Sequence, residues 1–293
     1  MLNYNFPLFR PPAEANNIII QATLGCSHNQ CTFCSMYKSK KYSVRPLEEV
    51  YKEIDTLSTH FPEANKVFLA DGDALALTTD HLISLLDYLS QSFPRLSRVS
   101  VYATAQNLLQ KSPAELTSLR ESKLTLLYFG VETGDETLLQ FIHKGVKSEE
   151  IIEALDKAHA AQMKVSATVI LGLGGKAKSK EHIQATATLL NATQVTYLST
   201  LQLGLEENIK EHFLHPFHGN FKALTDQEII EEQKQFITLL NPKNKLIFRS
   251  NHASNALPLK GTLPKDRQRL LNEIDRARTL GDEAFVPQAF RGF

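Results

Sequence analysis

The sequence predicts an α/β fold, a partial (β/α)6 parallel barrel followed by a C-terminal extension. Three observations lead there. Short apolar, β-branched runs alternate with amphipathic stretches across residues 17–202. The alternation recurs about every 30 residues, the length of one strand–helix–strand unit. The runs are continuous rather than alternately polar, as parallel strands covered on both faces require.

Residues 17–24 (NIIIQATL) open the series as a strand that ends just before the first cysteine. Pro46 then starts a helix reaching to residue 60, with Leu47, Val50 and Ile54 on one face. A second strand over 66–70 (KVFLA) closes on Asp71-Gly72-Asp73 and precedes a helix over 79–92. The third strand covers 98–103 (RVSVYA), followed by a helix over 113–122. The fourth covers 124–130 (LTLLYFG), with helical signals over 135–142 and 148–161. The fifth, 164–171 (KVSATVIL), breaks at Gly172, Gly174 and Gly175 before a helix over 179–191, and 195–201 supplies the sixth. After residue 202 the rhythm changes: 204–220 reads as a His-rich loop, 226–240 as a helix, 245–248 as a short strand and 264–279 as a final helix. The expected division is an N-terminal extension over 1–16, a core over 17–202, and an extension over 203–293 packing on the barrel. That last part has too few apolar runs for a core of its own.

Composition narrows the function. The chain has 293 residues, 42% hydrophobic and 22% charged, with Lys+Arg and Asp+Glu equal at 32 each. Balanced charge argues against a non-specific nucleic-acid binder. No apolar run approaches the ~18 residues of a membrane span, and the start, MLNYNFPLFRPP, lacks the pattern of a signal peptide. A cytoplasmic protein with no membrane partner is expected.

Polar and glycine-rich residues cluster at the carboxyl ends of the expected strands. The cysteine loop follows strand one, Asp71-Gly72-Asp73 strand two, Thr104 and Gln106 strand three, Glu132 strand four, and Gly172–Gly175 strand five. In a parallel barrel those ends share one rim, where sites are built.

All three cysteines, Cys26, Cys31 and Cys34, fall within nine consecutive positions in a CX4CX2C pattern. An odd number excludes a fully paired disulfide framework. Thiolates suit an iron–sulfur cluster or zinc. Three of them leave one iron of a cubane open for chemistry; a zinc site would need a fourth ligand, for which His28 is the nearby candidate. Three buried, unliganded cysteines are the remaining alternative.

The loop, with Phe33 immediately before its last cysteine, resembles that of the radical S-adenosylmethionine (SAM) superfamily, and the resemblance extends over about residues 17–202. Asp71-Gly72-Asp73 is similar to the family's Gly-Gly-Glu-type element, which engages the methionine amino group of SAM. The run Phe129-Gly-Val-Glu132-Thr-Gly-Asp135, followed by Lys144-Gly145, resembles the subgroup of oxygen-independent coproporphyrinogen oxidases and Elongator-type catalytic subunits. Ile170-Leu-Gly172-Leu-Gly174-Gly175 is similar to the element that lies against adenine. Two departures stand out: the family's commonest spacing is CX3CX2C, and Asp73 is one methylene shorter than the usual Glu.

The resemblance implies an enzyme with a 4Fe–4S cluster on Cys26, Cys31 and Cys34 and SAM as second cofactor. SAM would meet Phe33, Asp71, Gly72, Asp73, Thr104, Gln106, Glu132, Gly172 and Gly174. It implies reductive SAM cleavage to a 5′-deoxyadenosyl radical, hydrogen abstraction from a small-molecule substrate, and a reductant such as flavodoxin or ferredoxin. An RNA-modifying enzyme and a non-catalytic zinc or Fe–S scaffold are the alternatives.

Elementary chemistry agrees with those roles and supplies competitors. Asp71 and Asp73 offer carboxylates to an ammonium, or form an Asx-type turn. Glu132 accepts from two ribose hydroxyls, or makes a rim salt bridge. The glycines permit backbone approach to a flat base. Arg249, Asn251, His252 and Asn255, in a dense polar run, are candidate substrate contacts, or belong to an exposed loop. His212, His215 and His218 suggest a metal site or a solvated loop, and Lys38, Lys40, Lys41 and Arg45 a solvated face or a dock for an anionic donor. Tyr102, Tyr128 and Tyr197 read as core residues or hydrogen relays. With no fourth cysteine, a second cysteine-bound cluster, a cysteine hydrogen donor and a methyl-cysteine route are expected to be absent. A cobalamin domain is not expected beside the barrel.

Overall fold

The computed structural model describes residues 2–292. The six expected strands form as β1 (Ile18–Gln21), β2 (Lys66–Ala70), β3 (Arg98–Ala103), β4 (Leu124–Glu132), β5 (Lys164–Leu171) and β6 (Tyr197–Gln202). The sheet continues past them with β7 (Leu246–Ser250) and β8 (Leu259–Leu263), and its eight strands stand in chain order. Strands β1 to β4 pair in parallel, as do β5 to β7, and β8 runs antiparallel to β7. β2 shows why its run was continuous: four of its five residues are buried, on both faces.

The helices are α1 (Leu47–His60), α2 (Thr79–Ser92), α3 (Ala105–Gln110), α4 (Pro113–Glu121), α5 (Glu136–Phe141), α6 (Ser148–Ala160), α7 (Gly175–Ala192), α8 (Glu207–Leu214), α9 (Asp226–Leu239) and α10 (Arg267–Leu280). In α2, Leu82, Leu85, Leu86 and Leu89 form the buried stripe that a 3.6-residue period requires. Helix α4 starts at a reciprocal cap between Ser112 and Glu115 with Pro113 in its first turn, and α9 at one between Thr225 and Glu228. Among the described residues no helix is long and apolar enough to cross a membrane.

The chain divides into two units. The first comprises Met1–Asn29, Cys34–Phe129 and Asp156–Val165, the second Gln30–Phe33, Gly130–Leu155 and Ser166–Phe293. Inside the first, Phe68, Tyr102 and Tyr128 meet edge to face at 5.1–6.1 Å. The Tyr128 hydroxyl donates to Glu14 at 2.6 Å, and Arg98 pairs with the same carboxylate at 2.8 Å. Tyr102 and Tyr128 thus serve the core, as packing predicts. In the second unit Leu138, Ile142, Ile170, Leu173, Phe213 and Phe217 form a buried apolar cluster.

Several local expectations change. The segment expected to be a loop over 204–220 contains α8, which ends at Leu214 where Pro216 enters a short 3-10 turn. Helix α3 and the short antiparallel ladder of Thr23–Leu24 with Ser43–Val44 went unread, since neither is long enough to show a period. The polar run from Arg249 begins inside β7, and Leu259 starts another strand: pairing across a hairpin, not polarity, decides there.

Candidate active site

In the first unit, the cysteine loop is closed at its base. The Thr23–Leu24 ladder with Ser43–Val44, extended by the Arg45 amide donating to the Ala22 carbonyl at 3.3 Å, brings the two ends of the loop together. Arg45 is buried and forks onto Glu53 of α1 at 2.8 and 2.9 Å. That bidentate pairing holds its guanidinium pKa above the usual value.

The motif after β2 grips the loop from below. Asp71 is fully buried, and its Oδ2 accepts from the Gly25 amide at 3.1 Å, Gln21 Nε2 at 3.1 Å and Lys40 Nζ at 3.0 Å. Among the described residues its Oδ1 has no hydrogen-bond partner. Gly72 passes so close that a Cβ there would lie 2.6 Å from Cys26 Cβ, and its amide donates to the Gly25 carbonyl at 3.0 Å. Asp73 Oδ1 accepts from the Ser27 amide at 2.8 Å, while Oδ2 accepts from the Ser27 hydroxyl and, at 3.5 Å, from Asn107 Nδ2. Burial raises the Asp73 pKa above the ordinary aspartate value, against the lowering effect of bonds from Ser27, Asn107 and Cys26.

Two expected site residues have structural work here. Thr104 caps α3, accepting from the Asn107 amide at 3.2 Å, while the Asn107 side chain returns a bond to the Thr104 amide at 2.9 Å. Gln106 lies half-buried in the first turn of the same helix. Tyr37, three residues beyond Cys34, is buried, and desolvation, with the Asp71 charge second, pushes its phenol far above the usual range.

In the second unit, Thr32 is buried and its amide donates to the Ile142 carbonyl at 3.0 Å. Phe33 packs against the apolar cluster around Phe213 and Phe217. Glu132 ends β4 with φ +61°, a left-handed conformation uncommon for a non-glycine residue, and pairs with Lys144 at 3.0 Å. The salt bridge foreseen as the competitor to ribose binding is thus present. Behind it, His182 is buried, with Nε2 donating to the Ile170 carbonyl at 3.0 Å and Nδ1 accepting from the Thr133 hydroxyl at 2.8 Å. Burial lowers its pKa to about 4, so it is neutral at pH 7.

Gly172 takes φ +78° at the end of β5, and Gly174 caps α7. The Gly172 amide donates to Glu232 Oε1 at 2.6 Å. Desolvation raises the Glu232 carboxyl pKa to about 7.

Other candidates are placed differently from expectation. Arg249 lies in β7 and donates to the Phe248 and Gly261 carbonyls at 2.7 and 3.3 Å, so a strand end engages it. Asn255 is buried, donating to the Thr200 carbonyl at 2.7 Å and Ser250 Oγ at 2.9 Å and accepting from the Gln202 amide at 2.7 Å. His252 Nδ1 bonds Ser254 Oγ at 2.8 Å, and Asn251 is exposed. The basic run is not one solvated face: Lys40 and Arg45 are buried in ion pairs, whereas Lys38 and Lys41 are exposed. Among the described residues no three His, Cys, Asp or Glu side chains gather as a ready site for a metal ion, the three histidines and the three cysteines alike. None of the three cysteines is in a disulfide. Asn107, His182 and Glu232 are residues that sequence reasoning missed, and Lys40 it placed in a basic run without its buried partner; each acts over a long separation or through a cap, which periodicity does not register.

Comparison with known proteins bears on the family and the fold. The sequence matches the radical SAM superfamily over residues 20–190, more than half of the chain. It is 26% identical over 186 residues to the heme chaperone HemW of Bacillus subtilis, covering 60% of this chain and 48% of that protein. It is 21% identical over 238 residues to the uncharacterized protein MJ0486 of Methanocaldococcus jannaschii, covering 77% and 72%. The chain spans less than half the length of HemW and about two fifths of an uncharacterized methyltransferase of Pyrococcus horikoshii that it also resembles. In fold it is similar to the coproporphyrinogen III oxidase HemN of Escherichia coli, with TM-score 0.54, 15% identity, and coverage of 76% of this chain and 52% of that one. A second similar structure is the methyltransferase TsrM of Kitasatospora setae, with cobalamin and a 4Fe–4S cluster bound (TM-score 0.56, 14% identity, coverage 89% and 61%). The chain is an enzyme belonging to the radical SAM superfamily, a family that uses a 4Fe–4S cluster and SAM.

Proposed function

We propose that this protein binds a 4Fe–4S cluster through Cys26, Cys31 and Cys34 and cleaves SAM reductively, passing a hydrogen-abstracting radical to an organic substrate. The observation that carries the reading is the CX4CX2C loop fastened beneath by the Asp71-Gly72-Asp73 motif. Three soft thiolates suit an iron–sulfur cluster with one open iron. The orphaned, fully buried Asp71 Oδ1 and the close approach of Gly72 to Cys26 mark this as a place built for more than loop closure.

When bound, the cluster supplies the electron that splits SAM into methionine and a 5′-deoxyadenosyl radical. The chain's own residues do the rest. Asp73 and the Gly72 backbone present acceptors to the methionine ammonium, with Asn107 and Ser27 fixing the Asp73 carboxylate. Asp71 Oδ2 fastens the loop through Lys40, and its Oδ1 is the further acceptor offered to SAM. Thr104 and Gln106 border this region on α3. Glu132, oriented by Lys144, accepts from ribose hydroxyls, and the Gly172–Gly174 backbone lies against adenine. Phe33 and the aromatic cluster beside it exclude water. Residues 17–202 are read as the core and 203–293 as its extension. A flavodoxin- or ferredoxin-type reductant in the cytoplasm, where thiols stay reduced, completes the scheme.

Anaerobic reconstitution tests the reading. About four irons per chain are expected, with dithionite-dependent release of 5′-deoxyadenosine and loss of iron in each Cys→Ser variant. One zinc per chain and no SAM turnover would instead establish the scaffold alternative.

A further inference from the structure

The turn at the end of β5 is held by a helix from the far side of β6. Glu232 on α9 is 2% exposed, and its two carboxylate oxygens serve the two ends of one feature. Oε1 accepts from the Gly172 amide at 2.6 Å, and Oε2 accepts from the Ser179 hydroxyl on α7. The neighbouring turn of α9 adds to the hold. Ile229 Cδ1 sits where a Cβ on Gly172 would come within 2.8 Å, and Glu228 pairs with Lys176 at 2.6 Å. The Lys176 amide donates to the Lys222 carbonyl at 2.8 Å.

A buried carboxylate is expensive, and a leucine would fill comparable space. What a leucine would not do is accept from the Gly172 amide. At φ +78° that amide leaves the strand ladder, and without an acceptor it would be a buried orphan donor.

We propose that Glu232 is a positioning residue that sets the conformation of the Gly172–Gly175 turn, so that α9 governs how tightly the enzyme holds SAM. This rests on the assignment of that turn to adenine given above. Glu228 and Glu232, four residues apart, lie on one face of α9 and grip α7 and the turn together.

The test uses the full chain as wild type, Glu232→Gln, Glu232→Ala and Ser179→Ala. Exchange of the Gly172 amide is followed without SAM; iron content, KM for SAM and kcat for 5′-deoxyadenosine release are followed after anaerobic reconstitution. Losing one hydrogen bond to a charged group corresponds to roughly tenfold. Glu232→Ala should therefore speed Gly172 exchange and raise KM for SAM by about that factor, with kcat and iron unchanged. Glu232→Gln, which keeps an oxygen acceptor, should stay near wild type, and Ser179→Ala should fall between. Should Glu232→Ala fail to fold, the Ser179→Ala exchange rate decides. Unchanged exchange or unchanged KM in the alanine variants, or a glutamine variant as impaired as alanine, overturns the proposal. A wild-type chain that holds iron yet shows no SAM turnover overturns the adenine assignment instead, and the exchange rates then judge the hold on the turn by themselves.

Discussion

Lys40 places its ammonium 3.0 Å from Asp71 Oδ2, with the lysine side chain 6% exposed and the carboxylate not at all. The pair joins the far limb of the cysteine loop to the residue that follows β2. Lys40 also donates to the Asn5 carbonyl at 2.7 Å, so one ammonium ties three segments of the first unit.

Removing that ammonium strands a buried carboxylate. Lys40→Met should cost roughly 3–5 kcal/mol of stability, whereas Lys40→Met with Asp71→Asn should recover much of it, because no lone charge remains. Urea unfolding of the two variants checks this; a single variant with a wild-type midpoint would refute it.

Gly72→Ala would drive a methyl into Cys26. The clash falls on backbone and Cβ atoms rather than a flexible tip, so the loop must move. A cost of about 1–3 kcal/mol is expected, accompanied by poorer iron retention after reconstitution. Full iron content in the alanine variant would show that the loop tolerates displacement.

His182 and Glu232 make stability respond to pH in opposite senses. For His182 the folded pKa, about 4, lies below the ordinary 6.5, so the unfolded chain binds the proton first. Its contribution is lost as pH falls from about 6.5 to about 4, by up to about 3 kcal/mol. For Glu232 the folded pKa is raised from 4.5 to about 7, so its contribution is present below about pH 4.5 and is lost as pH rises through about 7. Denaturation midpoints between pH 4 and 8 should show Glu232→Gln gaining on wild type as pH rises, and His182→Gln losing the acid-side slope. Parallel profiles for all three proteins would contradict the assignment.

Asn255 and Asn251 should part company. Every polar group of the Asn255 side chain is engaged by the chain, so Asn255→Ala should cost about 1–3 kcal/mol and leave substrate KM alone. Exposed Asn251→Ala should be neutral for stability. A raised substrate KM in Asn255→Ala at unchanged stability would return that residue to the substrate.

The strands were readable because burial on both faces writes an uninterrupted apolar run, as in KVFLA and KVSATVIL. Helix α2 was readable from its apolar stripe. The three thiols within nine positions and the polar Asp71-Gly72-Asp73 turn after a strand were conspicuous in the sequence. His182 and Glu232 were not conspicuous: their partners lie 49 and 60 residues away in sequence, and one lone residue has no pattern to betray it; Lys40 showed only as part of a basic run, its partner 31 residues away. Asn255 shows the converse ambiguity. A polar cluster looks the same in sequence whether it serves a ligand or the backbone of Thr200 and Gln202.

Phe33 packs on a buried cluster to which Phe213 and Phe217 contribute from beyond β6, together with Leu138, Ile142, Ile170 and Leu173. A chimera that grafted only the first six strands and their helices onto a foreign tail would strip this aromatic of part of its bedding and leave a greasy scar beside it. Anyone recombining this scaffold should therefore transplant residues 203–221 together with Phe33.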